Sequence, residues 1–120
     1  MDAKRQAMYT ERARIIKALA HPARLLIVDE LNEGPRCVCE IRDMVGSDVS
    51  TVSKHLSVLK NAGIVTDDKR GVQVFYSLRC PCVTDFFACA EKVMTTTAES
   101  HRRLLEGSAD GKKRTGKLKK

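Results

Sequence analysis

Cys37 and Cys39 flank a single valine in RCVCEI, and Cys80, Cys82 and Cys89 fall together in CPCVTDFFAC. Thiolates are soft ligands, suited to thiophilic metals and metalloids, and an exposed thiol is also open to oxidation. No N-terminal apolar segment resembles a signal peptide, and no run approaches a membrane span. This predicts a cytosolic protein, where structural disulfides are rare and cysteines read better as metal ligands or reactive groups. There is no Cys-x-x-Cys, no βαβ pattern, no nucleophile paired with a base and no phosphate loop. The residues therefore predict no enzyme, and argue in particular against a thiol oxidoreductase.

A second group begins a dozen residues after the first thiol pair, in STVSKHLSVLK. Val52, Leu56 and Leu59 form an apolar stripe at helical spacing, which turns Ser50, Thr51, Ser53, Lys54, Ser57 and Asn61 outward. Short hydroxyl side chains beside a lysine suit close approach to base edges and phosphates of a duplex. A helix this rich in Ser and Thr is poor on propensity alone, so its composition has another cause. His55 adjoins the stripe, and both a phosphate contact and a packed structural role fit it. Lys69 and Arg70, before Gly71, form a charged tip able to reach the minor groove or the backbone. Scarce aromatic residues, three Phe, two Tyr and no Trp, argue against stacking on unpaired bases.

The elements that carry these groups follow from the pattern around them. Residues 3–20 repeat Met8, Ile15, Ile16 and Leu19 at helical spacing, and His21-Pro22 closes that helix and opens the next. The second helix runs to about Glu33 on Leu25, Leu26, Val28 and Leu31, and Gly34-Pro35 ends it. Arg36–Cys39 reads as a very short strand and Glu40–Val45 as a short helix. Gly46-Ser47-Asp48 is a turn with capping residues before a helix over Val49–Ala62, stopped by Gly63. IVTDDKRGVQVFYSL is a hairpin, and a final helix over roughly Cys82–Leu105 carries Phe86, Phe87, Ala90, Val93 and Met94. The fold class is mainly α with a small β-hairpin wing: a winged helix-turn-helix domain over residues 1–106. Residues 107–120 read as a basic, disordered tail. Within it, Lys112–Lys120 holds six of the 22 basic residues, so the formal charge of +7 falls to about +1 without that run. The first and last helices show more apolar face than one small core needs, which predicts a homodimer around Ile16, Leu19, Phe86 and Val93.

Four blocks in this order, IKALAHPARLLIVDEL, CVCEI, STVSKHLSVLKNAGIV and GVQVFYSL, resemble the ArsR/SmtB family of metal- and metalloid-sensing repressors over residues 10–95. The CVCE element is similar to that of its arsenic/antimony branch. The resemblance implies a symmetric winged-helix dimer joined by its first and last helices. It also implies binding to a double-stranded operator and release when an ion binds. Val49 stands where the family often has Gln; it makes no side-chain hydrogen bond but suits a thymine methyl.

For the ion, the resemblance implies As(III) or Sb(III) held by three thiolates, two of them from Cys37 and Cys39. Met1–Arg36 holds no cysteine, so the third comes from Cys80, Cys82 or Cys89. Of these, Cys82 and Cys89 match the arsenic-responsive pattern best. Cys82 and Cys89 are seven residues apart, roughly 10 Å along an ideal helix, too far to share an ion within regular helix. One option completes the Cys37/Cys39 pair from the segment after the hairpin. The other is a self-contained Cys80/Cys82/Cys89 set with a distorted helix start. Zn(II) sensing on the last helix, as in other branches, lacks its Asp-x-His pattern among Asp85, Glu91, Glu99 and His101. A four-thiolate site for zinc or another ion such as Cd or Pb, and thiol oxidation as the signal, stay open.

Overall fold

The computed structural model describes residues 1–110, with side chains through Glu106. The basic run Lys112–Lys120 lies outside the described residues. Helix α1 (Ala3–Leu19) starts at Asp2, whose carboxylate accepts the Arg5 N–H at 2.9 Å. Helix α2 (Pro22–Leu31) starts at His21, whose Nδ1 accepts the Ala23 N–H at 3.0 Å. Strand β1 (Arg36–Cys37) leads into α3 (Val38–Val45), a turn, α4 (Val49–Asn61), and the hairpin β2 (Val65–Arg70) and β3 (Gln73–Leu78). A 3-10 turn (Pro81–Thr84) precedes α5 (Asp85–Asp110). The three strands form an antiparallel sheet in the order β1-β3-β2.

The chain packs as two compact units, Met1–Pro81 and the segment from Cys82 onward. The first unit holds the helix-turn-helix and the wing. Its core is Ile27, Val28 and Leu31 of α2, Ile41 of α3, Val52, Leu56 and Leu59 of α4, and Ile64 and Val65. The α4 stripe is the one the spacing predicts. Removing Leu56 down to Ala costs about 2–5 kcal/mol, since the side chain is fully enclosed. Helix α4 ends in a Schellman closure: Gly63 N–H reaches Lys60 O at 2.9 Å and Ile64 N–H reaches Leu59 O at 3.0 Å. Gly63 supplies the left-handed φ of 82° that this closure needs.

Four boundaries or faces differ from expectation. Helix α3 begins at Val38, so Cys39 lies in its first turn and not in the strand. The buried stripe of α2 is Ile27, Val28 and Leu31; Leu25 and Leu26 fall off that spacing and are exposed at 39% and 38%. Only the end of α1 packs inward: Ala18 and Leu19 are buried, while Met8 and Ile16 are exposed. In the second unit α5 starts later than expected, after the 3-10 turn, and continues past Leu105. Among the described residues no helix is long and apolar enough to cross a membrane.

Candidate nucleic-acid interface and thiol pair

Helix α4 is set by its first residues. Gly46 takes a left-handed φ of 78° to end α3, and Asp48 caps α4 by accepting the Thr51 N–H at 2.8 Å. The Thr51 backbone N–H first, then its side chain, hold the Asp48 carboxyl below its ordinary range. The buried stripe of α4 leaves Val49, Ser50, Thr51, Ser53, Lys54, Ser57 and Asn61 exposed on one convex surface. Serine and threonine are affordable there because the Asp48 cap, the Schellman end and core burial fix the helix.

His55 does not belong to that surface. It is only 9% exposed, its ring centroid lies 4.4 Å from that of His21, and Arg24 Nη1 donates to its Nδ1 at 3.3 Å. Arginine has no acceptor, so Nδ1 carries no proton and the imidazole is neutral. Arg24 is itself fixed by donating from Nε to Ala18 O at 2.7 Å. Burial first, then His21 and Arg24, push the His55 pKa down. Of the two roles that fit His55 in the sequence, its burial matches the packed one, a joint between α4 and the α1–α2 corner.

The wing projects Lys69 and Arg70, both exposed, ahead of a turn at Gly71-Val72. Arg70 is not loose: its Nε donates to Asp68 Oδ2 at 3.1 Å and its guanidinium carbon lies 4.6 Å from the centre of the Phe75 ring. A further link escaped the sequence reading. Lys60, at the end of α4, donates to Asp67 Oδ2 on β2 at 2.9 Å and ties the recognition helix to the wing. Asp67 raises the Lys60 pKa through that hydrogen bond and its charge. Seven residues separate the partners, and only the turn at Gly63 brings them together, so no spacing rule marks the pair.

Cys37 is buried at 7% exposure and stands at the N-cap of α3. Its Cα partner across the sheet is Phe75 of β3. Glu40 reaches back to accept the Cys37 N–H at 2.9 Å, one half of a capping box. That N–H first, then the Cys37 side chain, lower the Glu40 pKa. Cys39, Cys80, Cys82 and Cys89 are exposed, and all five thiols are free. Cys89 is thus not packed on a buried face. Cys80 follows β3 in the first unit, and Cys82 and Cys89 belong to the second. The donor set is right for a soft ion. Among the described residues, however, no three Cys, His, Asp or Glu side chains gather into a set able to hold a metal.

A family model described as "Bacterial regulatory protein, arsR family" matches residues 21–67, which run from α2 through the first residues of the wing. The HTH-type transcriptional regulator Rv0081 of Mycobacterium tuberculosis is 34% identical over 102 residues, 84% of this chain and 90% of that protein. The chain belongs to the ArsR family. The crystal structure of Rv0081 superposes with a TM-score of 0.69 over 78% of this chain and 95% of that one, at 35% identity. A homodimeric winged helix-turn-helix domain from Mycobacterium bovis, a possible ArsR-family regulator, gives 0.70 over 84% and 94%, at 32% identity. A Staphylococcus aureus homologue of the cadmium resistance regulatory protein CadC is 42% identical over 67 residues, 55% of each chain. This ArsR-family chain is therefore a DNA-binding transcriptional regulator with a winged helix-turn-helix, and not an enzyme.

Proposed function

We propose that this regulator is a homodimeric, cytosolic repressor that leaves its operator when As(III) or Sb(III) engages its thiols, Cys37 and Cys39 first. The observation that carries the reading is the position of Cys37. One free thiol sits at the cap of α3, ahead of the recognition helix, and on the strand paired with the wing. Cys39 follows on the exposed first turn. An ion held by both residues demands that Cys37 turn outward, which disturbs the Glu40 cap and the start of α3. The third thiolate comes from Cys80, Cys82 or Cys89.

Ser50, Thr51, Ser53, Lys54 and Ser57 form the surface proposed to enter the major groove, and Lys69 and Arg70 flank it. Exposed Val49 adds an apolar contact for a thymine methyl. Dimerisation is supported by the exposed apolar residues Met8, Tyr9 and Ile16 on α1 and Phe86, Val93 and Met94 on α5. Leu19, expected in the interface, packs inside the protomer instead.

The test is release of a fluorescent DNA duplex, selected by the protein from a random pool, from reduced protein. As(III) and Sb(III) should release it at lower concentration than Zn(II) or Cd(II), and a disulfide-forming oxidant added after the reductant is removed should leave it bound. Release by oxidant alone would move the reading to a redox switch, and release by Zn(II) or Cd(II) alone to a divalent-ion sensor.

A further inference from the structure

Residues paired directly across an antiparallel sheet share a face, and so do residues two apart on one strand. The register Asp68↔Phe75 therefore puts Asp68, Arg70 and Phe75 on one side of the wing. The guanidinium lies over the Phe75 ring at 4.6 Å, and Asp68 takes the Arg70 Nε–H at 3.1 Å. Arg70 and Asp68 side chains are both half exposed or more, at 52% and 64%. An arginine on such a surface with nothing beneath it would sample many rotamers and lose that freedom on binding. Here the ring supports the cation from below, and Asp68 uses one of the five N–H donors. Asp68 engages Nε, and the two terminal NH2 groups are the pair that forms a fork towards a phosphate or base edge.

We propose that Phe75 is a positioning residue for the wing's DNA contact, its ring holding the Arg70 guanidinium ready for the duplex. The proposal rests on the reading of Arg70 as a DNA contact. Phe75 is fit for the role because β3 is the central strand of the sheet. Its backbone is fixed on one side by β2 at Asp68 and on the other by β1 at Cys37. A ring so anchored moves less than the hairpin tip beyond it.

The experiment measures affinity for the selected duplex by anisotropy, in full-length chains with matching thermal melts. Arg70→Ala, Phe75→Leu, Phe75→Tyr and the double variant Arg70→Ala, Phe75→Leu are compared. Phe75→Leu should weaken binding two- to fivefold per wing, the worth of a cation–π contact at an exposed site. Phe75→Tyr keeps a ring and should bind as the parent does. In the Arg70→Ala background Phe75→Leu should have no further effect. If Phe75→Leu is silent while Arg70→Ala weakens binding, the positioning role fails and the wing contact stands. The same conclusion follows if Phe75→Leu is equally harmful with and without Arg70. If Arg70→Ala binds as tightly as the parent, the wing contact fails and takes the positioning role with it.

Discussion

Cys37 is at once the cap position of α3, the end of β1 and the cross-strand partner of Phe75. Cys37 thus touches both α3, through the cap, and the wing, through β3, whereas Cys39 is exposed to solvent. His55 makes the opposite point. A polar residue in a recognition helix is turned inward, where it stays neutral between His21 and Arg24. Its pKa is lowered by folding, so the unfolded chain takes up the proton first as the solution is acidified. The stability that His55 contributes is whole above its ordinary value of about 6.5 and is lost as pH falls below it. Melting temperatures recorded from about pH 7 to about pH 5 should therefore fall more steeply for the parent than for His55→Gln. Parallel curves would show that the His55 joint does not carry this dependence.

At the scale of elements, the Lys60–Asp67 pair bridges α4 and the wing, which together make the proposed reading head. Lys60→Glu and Asp67→Lys should each weaken DNA binding, and the two together should recover most of it. A Lys60 that served only as a phosphate contact would not be rescued by a second change on β2. Much of this head was legible in the sequence. The Val52/Leu56/Leu59 stripe, the Asp48 turn and the hairpin all follow from local rules of period, cap and turn. What was not legible depends on tertiary choice. The strand at Cys37 gives way to helix two residues earlier than expected, because Glu40 closes back on the Cys37 N–H. Leu25 and Leu26 looked like core because they are apolar, but α2 buries the neighbouring Ile27 and Val28. His55 and the Lys60–Asp67 bridge depend on partners from other elements that no spacing names.

At the scale of the whole molecule, one chain leaves apolar side chains exposed on α1 and α5, which a second copy accounts for. Sedimentation at micromolar concentration should give twice the 13.4 kDa chain mass, and Ile16→Glu with Val93→Glu should reduce it to one. A monomeric parent would remove the dimer. Dimerisation also bears on the ion, because no thiol trio is assembled among the described residues of one chain.

In the proposed function, Cys37 and Cys39 couple ion binding to DNA release. Such coupling is reciprocal, so the DNA-bound form must hold the ion less well than the free form. A tenfold loss of DNA affinity needs only about 1.4 kcal/mol of that difference. The direct measurement is DNA affinity of the Cys37→Ser, Cys39→Ser variant with and without As(III), under reductant, beside the parent. Serine keeps the size and loses the soft ligand. The variant should bind the duplex as the parent does and keep it when As(III) is added, while the parent lets go. Normal release by the variant would contradict the account and move sensing to Cys80, Cys82 and Cys89.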